Sequence, residues 1–404
     1  MLEQSGLQTK PERSSMADYV NRRVRQIPPS GIRRFFDLVA GSKEDVISLG
    51  VGEPDFITPW HVREASVYAL ERGMTSYTPN AGLPELRELI AEYLASRFGL
   101  HYEPSNQVIV TVGGSEAIDL ALRTLLEPGD EVLIPEPSFV SYSPLAYLAG
   151  GVPVGIETRA EDGFKLTAAS LAAAITPRSK VLILSYPSNP TGAIMSEDDY
   201  RPIAALVEKH DLIVVSDEIY AELTYGQKHV SFASMPGMKD RTVLVSGFSK
   251  AFAMTGWRLG YLCAHPELTR AMLKVHQYSI MCASSMAQAA AIEALREGLP
   301  EVERMVESYN QRRRLMVSGF RQIGLDIHEP QGAFYAFPSI RSTGLTSEQF
   351  AERLFAEAKV AAVPGHVFGL GGEGHLRCSY ATSVAQLNEA LERIGRFVEK
   401  LRNG

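Results

Sequence analysis

The runs Val181-Leu182-Ile183-Leu184 and Leu212-Ile213-Val214-Val215 are apolar at every position. Successive side chains of a strand point to opposite sides of its sheet, so a run of this kind is stable only where both faces are covered. Five further short β-branched or aliphatic runs, 107–112, 131–134, 152–156, 242–245 and 259–264, alternate with segments of helical periodicity. Together with 180–185 and 212–216 they predict an α/β fold: a large, mostly parallel sheet covered by helices on both faces.

Punctuation refines this outline. Thr58-Pro59 reads as an N-cap and first-turn proline, and residues 83–98 repeat apolar side chains at helical spacing until Gly99 stops them. Past Pro266 the pattern changes to long helical stretches, through Gly298-Leu299-Pro300 and on to Gly324, then to short strand-like pieces and closing helices. This predicts a large unit over 47–295 and a smaller α/β unit over 296–404 that takes in part of 1–46. The first thirty residues, ending in Pro28-Pro29-Ser30-Gly31, read as an arm. A chain of 404 residues, 45% of them hydrophobic, is long enough to bury cores in two such units.

Charge and cysteine usage narrow the partners. A net charge of −7 offers no basic face for nucleic acid or anionic lipid, so small molecules are the expected partners. Cys263, Cys282 and Cys378 form no C-x-x-C pair, which argues against a zinc ribbon or disulfide framework and for a reducing compartment. Residues 1–26 lack the apolar core of a secretory signal, and no stretch is apolar enough to span a membrane. A cytoplasmic location and no metal are expected.

In an open α/β sheet, ligands bind outside the carboxyl ends of the strands, so what each strand delivers there matters most. The run 107–112 leads into Gly113-Gly114-Ser115 and a helix from Glu116; its bare amides at a helix start suit a phosphate, though an ordinary strand-to-helix turn reads the same way. Arg258 offers a bidentate clamp for that phosphate. The run 180–185 leads into Ser188-Asn189-Pro190-Thr191-Gly192, which also reads as a plain turn. Asp217 follows four apolar residues, so its charge needs a partner, whether a cap or a cationic ring nitrogen. Tyr220 lies three residues on. Lys250 sits in Phe248-Ser249-Lys250-Ala251-Phe252, where an unpaired ammonium is costly. Bringing a lysine from about 10.4 to near 7 takes roughly 4–5 kcal/mol, more easily met by an imine than by burial alone. A phosphate cradle, an imine lysine, a carboxylate for a ring nitrogen and donors for a ring oxygen complement the four polar corners of pyridoxal 5′-phosphate.

The stretch Ser246-Gly-Phe-Ser-Lys250-Ala-Phe-Ala-Met-Thr-Gly-Trp-Arg258-Leu-Gly-Tyr261 resembles the lysine motif of the class I/II aminotransferases, fold-type I pyridoxal phosphate enzymes. Gly50-Val-Gly52-Glu-Pro-Asp-Phe56, Tyr77-Thr-Pro-Asn-Ala-Gly82, Asn189-Pro-Thr-Gly192, Asp217-Glu-Ile-Tyr220, Gly332-Ala-Phe-Tyr335 and Arg377-Cys-Ser-Tyr-Ala381 follow in the family's order. The resemblance implies that Lys250 holds the cofactor as an aldimine, that Asp217 faces the pyridine nitrogen, and that Asn189 and Tyr220 face the ring hydroxyl. Gly114, Ser115 and Arg258 would face the phosphate, and Ser249 would also meet the cofactor. Phe139 would stack on the ring, although a core aromatic is its rival reading. Gly52, Asn189 and Arg377 would meet the substrate, with Arg377 gripping its α-carboxylate. Tyr77 looks like the tyrosine that reaches the phosphate across a homodimer interface. Gly247 departs from the pattern, since many members carry a phosphate-binding serine there.

The activity so implied is ping-pong transfer of an amino group from an L-amino acid to a 2-oxo acid such as 2-oxoglutarate. A C–S lyase or a synthase on the same scaffold is the alternative. A serine hydrolase using Ser115, one residue short of a G-x-S-x-G elbow, is the rival from another class. Gly369-Leu-Gly371-Gly-Glu-Gly374 matches G-x-G-x-x-G but precedes a strand-like run, and reads as a flexible loop.

Overall fold

The computed structural model describes residues 15–29, 31–32 and 45–403. β1 (Ile47–Ser48) lies outside the main sheet, which the next seven strands build. These are β2 (Val108–Thr111), β3 (Glu131–Glu136), β4 (Val152–Glu157), β5 (Ser179–Ser185), β6 (Ile213–Asp217), β7 (Thr242–Gly247) and β8 (Gly260–Cys263), in the order β2-β8-β7-β6-β5-β3-β4. All neighbours pair in parallel except β8, which runs antiparallel to both β7 and β2.

Alternation along β5 explains the wholly apolar runs. Val181 and Ile183 pack into a core with Ile118, Leu122 and Met272, from the helices Gly113–Leu125 and Pro266–Ser279. Leu182 and Leu184 pack into another with Tyr200, Ile203 and Val207 of the helix Glu197–Lys209. Each such side chain contributes about 1.5–3 kcal/mol relative to exposure, so neither face of β5 tolerates polarity. β4 closes one edge, and there Val152 is exposed.

The smaller unit pairs β1 in parallel with β10 (Val360–Ala361) and sets β12 (Leu376–Ser379) between β11 (Val363–Pro364) and β9 (Tyr335–Ala336). The helices Leu299–Ile323, Ser347–Ala358 and Val384–Asn403 cover these strands. We propose 47–295 and 296–404 as the extents of the two units; the pairing of β1 with β10 puts residues 47–48 at their seam. The expected arm and first segment, 1–46, lie largely outside the described residues.

Helix ends agree with the punctuation in part. Gly99 and Gly324 end their helices in the left-handed conformation, which glycine adopts without a Cβ penalty. Thr58 is not an N-cap: its hydroxyl donates to the Ala253 carbonyl at 2.6 Å and accepts from Trp257 Nε1 at 3.0 Å, and the helix starts at Trp60. The helix expected from Glu116 starts at Gly113, so both glycines lie in its first turn. No helix among the described residues is long and apolar enough to cross a membrane.

Candidate active site

Eleven of the twelve residues singled out from the sequence border one cavity of about 700 Å³ at the carboxyl ends of β2, β5, β6 and β7, where the strands hand over to loops. The exception is Tyr77, which is 80% exposed and outside the cavity of its own chain.

Lys250 enters from the loop after β7, held by Phe248 and Phe252 buried on either side. Its Nζ donates to the Gly52 carbonyl at 2.7 Å. Burial lowers the amine to about 8, with the Glu53 charge acting in the opposite direction. Burial, helped by the Arg377 and Arg258 charges, therefore takes this lysine much of the way to a neutral nucleophile.

Asp217 ends β6 and is buried. Oδ2 lies 2.7 Å from the Tyr142 hydroxyl, and Oδ1 accepts the Ile219 amide at 3.2 Å. Burial raises its carboxyl, while the bond from Tyr142 lowers it. No cation forms an ion pair with it among the described residues. A buried carboxylate in that position is best met by a positive group arriving from the cavity.

Arg377, on β12, is the mirror case. It is 2% exposed, donates to the Gly50 carbonyl at 2.6 Å and to Asn189 Oδ1 at 3.0 Å, and stacks over Tyr335 and Phe368 with no carboxylate partner among the described residues. Its Nε has no acceptor among the described residues. The bond to Arg377 occupies the Asn189 oxygen, so its amide nitrogen is the donor available to a ligand. Tyr220 and Tyr335 share a hydroxyl contact of 2.8 Å.

The start of the helix Gly113–Leu125 also borders the cavity. A Cβ at Gly113 would stand 2.8 Å from Arg258 Nη2, so the bare backbone lets the guanidinium close over the helix start. Gly114, Ser115 and Ser249 border the cavity there. Gly247 has a packing reason: a Cβ on it would meet the Gly260 Cα at 2.7 Å, and one on Gly260 would meet the Gly114 nitrogen at 2.7 Å. The strand pair is pressed against the helix start, and a serine at 247 does not fit.

Tyr142 was not singled out from the sequence. A tyrosine three residues beyond Phe139 carries no local signal; only the helix Tyr142–Leu148 brings it to Asp217. With its proton given to the carboxylate, its oxygen can accept from Ser185 Oγ at 2.8 Å. Tyr142→Phe removes one of the bonds that lower the Asp217 carboxyl against the effect of burial. We expect kcat to fall about tenfold, in line with a hydrogen bond to a charged group. The acid limb of the kcat–pH profile moves to higher pH, because the carboxyl pKa rises further. An unmoved limb would contradict the role.

Residues 44–394 match the family described as aminotransferase class I and II. The protein YugH of Bacillus subtilis (strain 168) is 58% identical over 95% of this chain and all of its own length. An aspartate aminotransferase of Pyrococcus abyssi (strain GE5 / Orsay) is 46% identical over 94% of this chain and 98% of its own. Among solved structures, an aromatic aminotransferase from Pyrococcus horikoshii OT3 superposes with a TM-score of 0.87 at 45% identity, covering 91% of this chain and 99% of that one. The chain belongs to the class I and II aminotransferases, a family of fold-type I enzymes that use pyridoxal phosphate.

The donor set suits that cofactor: a buried amine near neutrality, a buried carboxylate awaiting a cation, and a glycine-lined helix start closed by an arginine. The hydrolase reading is set aside, since no histidine borders the cavity beside Ser115 among the described residues. The glycine-rich segment 369–374 is not a free loop either. Gly369 packs on Glu136 and Gly371 on the Thr158 carbonyl.

Proposed function

We propose that this enzyme moves an amino group from an L-amino acid to a 2-oxo acid such as 2-oxoglutarate, by a ping-pong route through this single cavity. The observation that carries the reading is one buried lysine amine near pH 8 set between a buried, cation-seeking carboxylate and a buried, anion-seeking guanidinium. Pyridoxal 5′-phosphate, when bound, draws electrons away from the bonds of the substrate's Cα.

The chain's own residues do the rest. Lys250 supplies the amine that anchors the cofactor and, when displaced, takes the Cα proton at Nζ. Asp217 keeps a proton on the ring nitrogen, with Tyr142 keeping Asp217 ionised. Asn189 Nδ2 and the Tyr220 hydroxyl donate to the ring oxygen. Gly114, Ser115, Ser249 and Arg258 bind the phosphate through amides, hydroxyls and a guanidinium. Phe139 offers a ring face. Arg377 takes the α-carboxylate beside Gly52, which has no space for a side chain because a Cβ would lie 2.7 Å from the Tyr335 hydroxyl.

A homodimer completes the site in this reading. Ile57, Trp60, Tyr68, Tyr77, Tyr278 and Met281 are large exposed apolar side chains on neighbouring segments, tied together where Asn80 Nδ2 donates to the Met281 carbonyl at 2.7 Å. Covering them with a second copy removes that surface from water and lets Tyr77 reach the partner's phosphate corner. The three free cysteines suit a cytoplasmic setting.

Transamination makes a stoichiometric demand. Holoenzyme mixed with an L-amino acid alone should release one equivalent of 2-oxo acid per site and stop, then resume when 2-oxoglutarate is added. Continuous release of ammonia and 2-oxo acid without an acceptor would favour the lyase.

A further inference from the structure

The proposed site draws its cofactor-facing ring and its carboxylate-binding cation from different units. Phe139 follows β3 of the main sheet, whereas Arg377 lies on β12 of the smaller unit. An amino acid held by its carboxylate presents its Cα correctly only if these two stand in a fixed relation.

One loop ties them together. Phe368, buried, places its ring 5.0 Å from the Arg377 guanidinium carbon, and its carbonyl accepts the Ser138 amide at 3.0 Å, next to Phe139. Two residues on, the Leu370 amide donates to Glu136 Oε2 at 2.8 Å. Glu136 is itself held in register: its carbonyl accepts both the Thr158 amide at 2.7 Å and the Thr158 hydroxyl at 3.0 Å. The fit around its carboxylate is close. A Cβ at Gly369 would stand 2.3 Å from Oε2, and one at Gly155 of β4 would stand 2.9 Å from the same atom. Gly369 also has a φ of +99°, a conformation side chains resist. Burial raises the Glu136 carboxyl, and the Leu370 amide and Ser143 hydroxyl counter it.

We propose that Glu136 is a positioning residue: by accepting the Leu370 amide it locks the 365–374 loop to the end of β3, and through Phe368 it sets Arg377 against Phe139 for the α-carboxylate of the substrate. The inference rests on the assignment of Arg377 made above. The glycines at 369 and 371 serve that docking, in a motif whose spacing otherwise suggests a nucleotide.

The test compares Glu136→Ala, Glu136→Gln and Gly369→Ala as holoenzymes, with an L-amino donor varied at saturating 2-oxoglutarate. Glu136→Ala should raise KM for the donor about tenfold with kcat within about twofold, and with cofactor content and visible absorbance unchanged. Glu136→Gln keeps an oxygen acceptor and should return KM to near the wild-type value. Gly369→Ala drives a methyl group into the carboxylate and should raise KM as Glu136→Ala does. The proposal is overturned if Glu136→Ala leaves KM within twofold of wild type, or if Glu136→Gln is equally impaired. Should Glu136→Ala not fold, an unchanged KM in Gly369→Ala overturns it. Arg377→Ala, run alongside, tests the site assignment separately: an unchanged KM for the donor in that variant removes Arg377 from the site.

Discussion

Replacing Lys250 by alanine is expected to lower kcat at least about a thousandfold. On the proposed function, two contributions are removed together. The first is the amine that anchors the cofactor. The second is the base for the Cα proton, a contribution worth 10²–10⁴-fold on its own in typical enzymes. No other lysine borders the cavity among the described residues to take over either task. The amine's lowering to about 8 adds a pH signature. Only the neutral amine attacks an aldehyde, so uptake of pyridoxal phosphate by cofactor-free wild-type protein should quicken as pH rises toward 8 and level off above it. Turnover by the alanine variant at wild-type rates would remove Lys250 from the mechanism.

Asp217→Ala is expected to cost at least about a hundredfold in kcat while the protein keeps much of its cofactor. The residues proposed for the phosphate, Gly114, Ser115 and Arg258, come from other segments of the cavity wall than this carboxylate and are not altered by the change. On the proposed function, what is lost is the charge opposite the ring nitrogen. Each unit by which that nitrogen's pKa drops corresponds to about 1.36 kcal/mol, or tenfold, in the population of its protonated form once it titrates below the working pH. Steady-state kinetics together with a phosphate-released cofactor assay separate the two effects. Near-wild-type turnover would mean that another group holds the ring proton.

Much of this was legible from the sequence because the chemistry lies where strand patterns end. The apolar runs at 181–184 and 212–215 placed Asn189 and Asp217 at the same edge of one sheet, and β7 delivered Lys250 beside them. Strand order and the reversal of β8 were not legible, since an apolar run carries no sign of its direction. Tyr142 and Glu136 escaped notice for a different reason. Each acts through a partner distant in sequence, Asp217 and Leu370 respectively, and neither has a local pattern that marks it. Thr58 shows the reverse error: its local pattern predicts a helix cap, but the Ala253 carbonyl and the Trp257 indole compete for the hydroxyl and win. The departure at Gly247 became intelligible only when Gly260 and Gly114 were seen packed behind it.

The central claim is that the side chain at position 250 carries the cofactor. Reducing the holoenzyme with borohydride, digesting it and weighing its peptides measures this directly. A pyridoxyl group fixed on Lys250, with loss of the visible absorbance, is the predicted result. An unmodified Lys250 peptide, or the label on a different lysine, would contradict it.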